Sequence, residues 1–205
     1  MRGVEQVPWL YDAGMVVLEK TGLGRWREWL ARGVGGRVLD LGCGTGRNLP
    51  LYAATARVVG VDPCFESLLA ARRRAPGVPL VRARAEALPF REHSFDTVAS
   101  GLVFCSVSDP PVGLAEVRRV LASGGTLRML EHVRARGRLA AWMQDKTQPA
   151  WTWFTGGCHP NRDTEAAVAA AGFVIDPSTR RARGDMRRFE ARVAGSGDRP
   201  WPTRT

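Results

Sequence analysis

The sequence predicts an α/β protein built on a doubly wound parallel sheet. Two observations carry this. From Arg37 onward, short apolar segments rich in β-branched residues alternate with stretches of helical patterning, as consecutive βαβ units require. The first apolar segment, "VLDL", also runs straight into glycines at alternate positions, Gly42, Gly44 and Gly46. That is how a strand turns sharply into chain that faces a ligand. Right-handed crossovers then place helices on both faces of the sheet.

The elements follow in chain order. Residues 1–33 hold Trp9, Leu10, Val16, Val17, Leu18, Leu23, Trp26, Trp29 and Leu30, interrupted by Gly14, Gly22 and Gly24. This spacing predicts two short amphipathic helices that cap the sheet or its mouth. Strands are expected at "RVLDL" (37–41), "RVVGV" (57–61), "VPLVRA" (78–83), "FDTVAS" (95–100) and "GTLRMLEHV" (125–133). Helices are expected over 47–55, 65–75 and 110–123, with Asp109 as the N-cap of the last and proline opening it. A Trp-rich helix is expected over 138–155, and another over "NRDTEAAVAAAG", capped by Asn161 or Asp163 and stopped at Gly172. "FVID" and "DMRRFEARVAG" are read as a terminal strand pair. The organisation is therefore a single domain over 1–195: a helical cap (1–33), a core (37–132), substrate-side helices (133–172), and a disordered tail over 196–205.

Composition bounds the function. The 205-residue chain is 44% hydrophobic and 24% charged, ordinary values for a globular protein. It has no apolar run long enough for a spanning helix, and its start has no leader pattern. Cys43, Cys64, Cys105 and Cys158 form no C-x-x-C pair, so no metal site or redox motif is expected and the thiols read as free. These features point to the cytoplasm. The net charge of +10 comes from arginine almost entirely, with Lys20 and Lys146 the exceptions. The arginines scatter rather than form one tract, so nucleic acid is a disfavoured partner.

The glycine turn and the next strand narrow the ligand. The spacing is G-x-G-x-G, not the dinucleotide G-x-G-x-x-G, and no Lys-Ser/Thr follows as in a Walker loop. Asp62 ends the following strand in "VVGVDP", where an acid hydrogen-bonds ribose hydroxyls. Together they indicate an adenosine-type ligand.

"VLDLGCGTGRNL", "VVGVDP", "RAEALPF", "FDTVASGLVFCSV" and "EVRRVLASGGTL", in this order over residues 36–132, resemble the successive motifs of class I S-adenosylmethionine-dependent methyltransferases of the type 11 group. The resemblance implies a Rossmann-like seven-stranded sheet with its last strand antiparallel. It implies S-adenosylmethionine as cofactor and S-adenosylhomocysteine as product. Carried over by position, Asp40 and the backbone of Gly42, Cys43, Gly44 and Gly46 would hold the methionine end. Asp62 would take the ribose, Pro63 and Cys64 would flank the adenine, and Ala85 and Glu86 would lie at its amino edge. Tyr11, Ser100, Gly101 and Leu102 complete the expected cofactor set. Arg84 stands where many relatives have an acid.

The second half, "EHVRA…W…Q…QPAW…GGCHPNRDT…AGF" (131–173), resembles the branch of thiol S-methyltransferases, related to quinone and phospholipid methyltransferases. That implies in-line methyl transfer to a small, largely apolar acceptor, with a thiol first. A phospholipid N-methyltransferase or a quinone C- or O-methyltransferase is the alternative. A basic nucleic-acid-binding or RNA-modifying protein is the rival of another class. His132 and His159 are the expected catalytic residues, because histidine exchanges protons near neutral pH. The Trp-rich flanks add peripheral contact with an anionic membrane as a further expectation.

Overall fold

The computed structural model describes residues 3–195; the expected tail over 196–205 lies outside the described residues. Helix α1 (Pro8–Leu18) runs through a π-helical turn (Glu19–Leu23) into α2 (Gly24–Ala31), forming the expected N-terminal cap. Then come β1 (Gly36–Leu41), β2 (Ala56–Asp62), α3 (Phe65–Arg74), β3 (Leu80–Arg82), β4 (Phe95–Gly101) and α4 (Pro110–Val120). The chain continues with β5 (Leu121–His132), α5 (Arg138–Thr155), α6 (Thr164–Ala170), β6 (Phe173–Ile175), β7 (Arg181–Arg183) and β8 (Met186–Val193).

The sheet order is β3-β2-β1-β4-β5-β8-β6, with β7 pairing only β8. Strands β1 to β5 are mutually parallel, and β8 runs antiparallel to β5. This is the seven-stranded sheet with an antiparallel last strand, plus one short strand that the sequence did not suggest. Strand β7 forms because Gly184, at φ 57°, closes a tight turn back into β8.

Side chains alternate along each strand and so divide the core between two faces. Leu39, Leu41, Val98, Leu127 and Met129 pack with Leu114, Val117 and Val120 of α4 and with Val168 of α6. From the other face, Val38 and Val58 meet Leu68 and Ala71 of α3, while Ala99 and Leu130 meet Leu30 of α2. The C-terminal ends of four adjacent strands (Leu41, Asp62, Gly101 and His132) open into one cavity.

Two helices differ from expectation. Over 47–55 only a 3₁₀ turn forms, at Leu49–Leu51. Pro50 has no N–H to donate to the carbonyl of Gly46, and Leu49 N–H takes that acceptor instead at 3.2 Å. Helix α4 stops at Val120 because Leu121 is already extended, at φ −71° and ψ 132°. The strand therefore starts at Leu121, with its register against β4 shifting between Phe95 and Thr97.

Candidate active site

The glycine turn uses each glycine differently. All three have positive φ, 63° at Gly42, 53° at Gly44 and 79° at Gly46, so the tight left-handed path itself selects glycine. At Gly46 a Cβ would lie 2.9 Å from the Cα of Ala71, against the backbone of α3. At Gly42 it would meet the Val103 side chain at 2.4 Å. At Gly44 it would meet nothing closer than 4.0 Å, because this backbone faces the cavity. Gly46 closes the packing of loop on helix, whereas Gly44 leaves room for a ligand against bare backbone.

Asp62 faces the same space. Its Oδ2 accepts the Gly44 N–H at 2.9 Å and its Oδ1 the Cys64 N–H at 2.8 Å. Burial raises its pKa, and those two N–H groups only partly offset the rise. A partly desolvated carboxylate with lone pairs to spare at a strand end suits a pair of ribose hydroxyls. Asp40 does not line the cavity. It is fully buried, accepts Asn48 Nδ2 at 3.0 Å, and burial pushes its pKa up to about 6. Asn48 in turn accepts Arg27 Nη1 at 2.7 Å, so Asp40 acts by tying the glycine turn to α2. Cys43 is also buried behind the turn.

The cap is clasped onto the turn by charge. Asp12 of α1 accepts Thr45 Oγ1 at 2.7 Å, Arg47 Nη1 at 3.2 Å and Arg74 Nη2 at 2.6 Å. Glu19 pairs with Arg47 and, at 2.9 Å, with Arg27 Nε. Tyr11 lines the cavity on this side, along with Leu10, Met15, Leu18 and Leu23.

On the other side, Gly101 and Leu102 line the cavity while Ser100 does not. Ser100 is buried and donates its hydroxyl to Glu131 Oε1 at 3.0 Å. The same oxygen accepts the N–H groups of Val103 (3.1 Å) and Phe104 (3.2 Å). Burial raises the Glu131 pKa to about 7 against these bonds. Glu131, which the sequence reading did not single out, shapes the loop after β4 from beneath; a left-handed Leu102 (φ 63°) marks the strain there. Pro63, Cys64, Ala85 and Glu86 all reach the cavity. Burial opposes the charge on Glu86, but backbone N–H groups and Arg84 outweigh it and lower its pKa. It accepts Ser108 N–H at 3.0 Å and Asp109 N–H at 3.2 Å. Asp109 caps α4, accepting Val112 N–H at 3.1 Å.

Farther along the cavity from Asp62 and Gly44 lie three groups from separate segments. Cys105 (after β4), His132 (end of β5) and Cys158 (after α5) bring one donor atom each within 4.8 Å of one another. The hydrogen bond from Cys105 holds the Cys158 thiol below the usual thiol range, with His132 adding to it against burial. Burial works against a charge on His132, yet its contacts with Cys158 raise its pKa on balance. Glu5 lies beside them, accepting Ser106 Oγ at 3.1 Å, its pKa raised to about 7 mainly by burial. His132 lines the cavity; His159 does not. The His159 N–H donates to the Cys105 carbonyl at 2.8 Å and its Nδ1 lies 2.7 Å from the Gly157 carbonyl. It stitches two loops together outside the cavity lining, whereas the sequence placed it among the expected catalytic residues. The cavity, about 980 Å³, is completed by Trp151 and Phe154 of α5 and by the β7–β8 turn. Among the described residues no helix is long and apolar enough to cross a membrane.

Residues 39–129 match the family model for a methyltransferase domain. A thiol S-methyltransferase of Rattus norvegicus is 37% identical over 144 residues, 66% of this chain and 59% of that protein. A demethylmenaquinone methyltransferase of Renibacterium salmoninarum is 36% identical over 126 residues, 59% of this chain and 53% of its own length. The chain thus spans less than two thirds of these relatives. Among solved structures, an S-adenosylmethionine-dependent methyltransferase of Thermotoga maritima superposes with a TM-score of 0.62 at 24% identity, covering 83% of this chain and 94% of that one.

Proposed function

We propose that this chain, whose core is a class I S-adenosylmethionine-dependent methyltransferase domain, methylates a small apolar thiol. The observation that carries this is the reach of one cavity from Asp62 and Gly44 to the sulfur- and imidazole-bearing end at Cys105 and His132, between apolar helices. The cofactor, when bound, supplies an electrophilic methyl group, which a thiolate takes as the old C–S bond breaks and its electron pair returns to the sulfonium sulfur.

The chain has two tasks. Gly44, Asp62, Pro63, Cys64, Ala85, Glu86, Gly101, Leu102 and Tyr11 line the end that would hold the cofactor, with Asp40, Cys43, Gly46 and Ser100 supporting it from behind. At the acceptor end, Leu10, Leu18, Trp151 and Phe154 offer an apolar lining that would displace water around a bound acceptor and so strengthen charge interactions. An acceptor thiol must lose its proton to become a good nucleophile, and His132 lies at the end of the cavity where that sulfur would sit. Thiol S-methyltransferases among the relatives support this acceptor over a quinone.

The test is to offer S-adenosylmethionine with an alkanethiol, a demethylated quinone or phosphatidylethanolamine vesicles, and to measure S-adenosylhomocysteine and methylated product. Turnover with the alkanethiol above the other two is expected. Turnover with the quinone or the lipid alone would replace the thiol as acceptor.

A further inference from the structure

We propose that Cys105, His132 and Cys158 form a Cys₂His site for a zinc-type divalent cation in the wall of the cavity, its fourth position open to the acceptor. The donor set comes first. Two sulfurs and one imidazole nitrogen from three separate segments converge within 4.8 Å. A tetrahedral zinc, with Zn–S of about 2.3 Å and Zn–N of about 2.0–2.1 Å, sets its donors roughly 3.5–3.8 Å apart. Closing from the observed separations takes side-chain adjustments of about an ångström. Three protein ligands with the fourth place left free are the arrangement of a catalytic rather than a structural zinc.

The surroundings hold these donors in place. Both cysteines are buried residues, Cys105 at 1% and Cys158 at 2% exposure. The loop carrying Cys105 is tied to the loop carrying Cys158 by the His159 N–H to the Cys105 carbonyl. Arg162 adds Nη1 bonds to the carbonyls of Phe104 (2.7 Å) and Val107 (2.6 Å). Thr152 Oγ1 donates to the Cys158 carbonyl at 2.7 Å, and Cys158 N–H donates to Thr155 Oγ1 at 3.2 Å. Partners of this kind around the ligands orient them for a metal. Cys105 and His132 also line the cavity, so the free position faces the space where an acceptor would sit.

The chemistry follows from the ligand count. An acceptor thiol entering the fourth position exchanges its S–H bond for an S–Zn bond and releases one proton to solvent. The bound sulfur keeps its electron pair for methyl transfer, and the thioether formed is a neutral, weaker ligand that leaves. What fills the fourth position rests on the thiol reading above; the three-residue site does not.

The experiment uses the full chain without any acceptor. Cobalt(II) titration is expected to saturate at one ion per chain, with the intense visible bands of tetrahedral coordination and a sulfur-to-cobalt charge-transfer band, both removed by added zinc. C105S, C158S and H132A should each lose that stoichiometric uptake while still binding S-adenosylhomocysteine. X-ray absorption of the zinc-loaded wild type, which needs no variant to fold, should show two sulfur scatterers. Adding an alkanethiol should raise this to three. No stoichiometric uptake, uptake unchanged in C158S, or a zinc shell without two sulfurs overturns the site. Two sulfurs that stay two when the alkanethiol is added uphold the three-residue site and overturn the acceptor's place in its fourth position; the thiol reading itself stands or falls on turnover.

Discussion

Replacing Gly44 and Gly46 separately by alanine distinguishes a glycine kept for the ligand from one kept for the fold. Both sit at positive φ, 53° and 79°, so each alanine costs roughly 1–2 kcal/mol of backbone strain. At Gly46 the new methyl would also lie 2.9 Å from the Cα and Cβ of Ala71 and 3.2 Å from Leu49. Two of those neighbours are fixed by helix α3, so overpacking adds about 1–3 kcal/mol. Gly46→Ala should therefore lose roughly 2–5 kcal/mol, and Gly44→Ala only the strain. The order reverses for the ligand, because the Gly44 methyl projects into the cavity. Urea unfolding measures the first quantity and calorimetric titration with S-adenosylhomocysteine the second. Equal stability losses, or wild-type affinity in Gly44→Ala, would refute the division of labour.

Two further outcomes follow from buried and clasping carboxylates. Asp40 has its folded pKa raised to about 6 from 3.8, so the folded state loses stability as pH rises from the unfolded value through the folded one. Asp40→Asn removes that loss, and its unfolding free energy relative to wild type should improve by up to about 3 kcal/mol between pH 4 and pH 7.5; a flat difference across this window would contradict the assignment. Asp12→Ala removes the acceptor of Thr45, Arg47 and Arg74 and should raise hydrogen exchange in α1 roughly tenfold while leaving β1 and β4 unchanged; unchanged exchange in α1 would show that apolar packing alone holds the cap.

Strand alternation, the glycine turn and Asp62 were legible in the sequence because each is local: a period, a spacing, an acid at a strand end. The short 3₁₀ turn at Leu49–Leu51 was not, since helical patterning over 47–55 outweighed the single missing donor at Pro50. The motif positions of Asp40 and Ser100 did not show that both side chains are buried beneath the cavity lining, because motif position does not say which way a side chain points. The meeting of Cys105, His132 and Cys158 left no mark on sequence spacing. It depends on the β4 loop, the end of β5 and the turn after α5 arriving at one place. The Cys105 carbonyl held by His159 shows how tertiary contact, rather than any motif, makes that junction.

The most direct measurement is calorimetric titration of wild type and Asp62→Ala with S-adenosylmethionine and S-adenosylhomocysteine, with NAD as control. Charge-assisted bonds from ribose hydroxyls to Asp62, at about 1.5–3 kcal/mol, predict binding of both sulfur ligands to the wild type and a weakening of roughly 10- to 150-fold in the variant. NAD should not bind. Equal affinity in the two proteins, or binding of NAD in place of the sulfur ligands, would contradict the account.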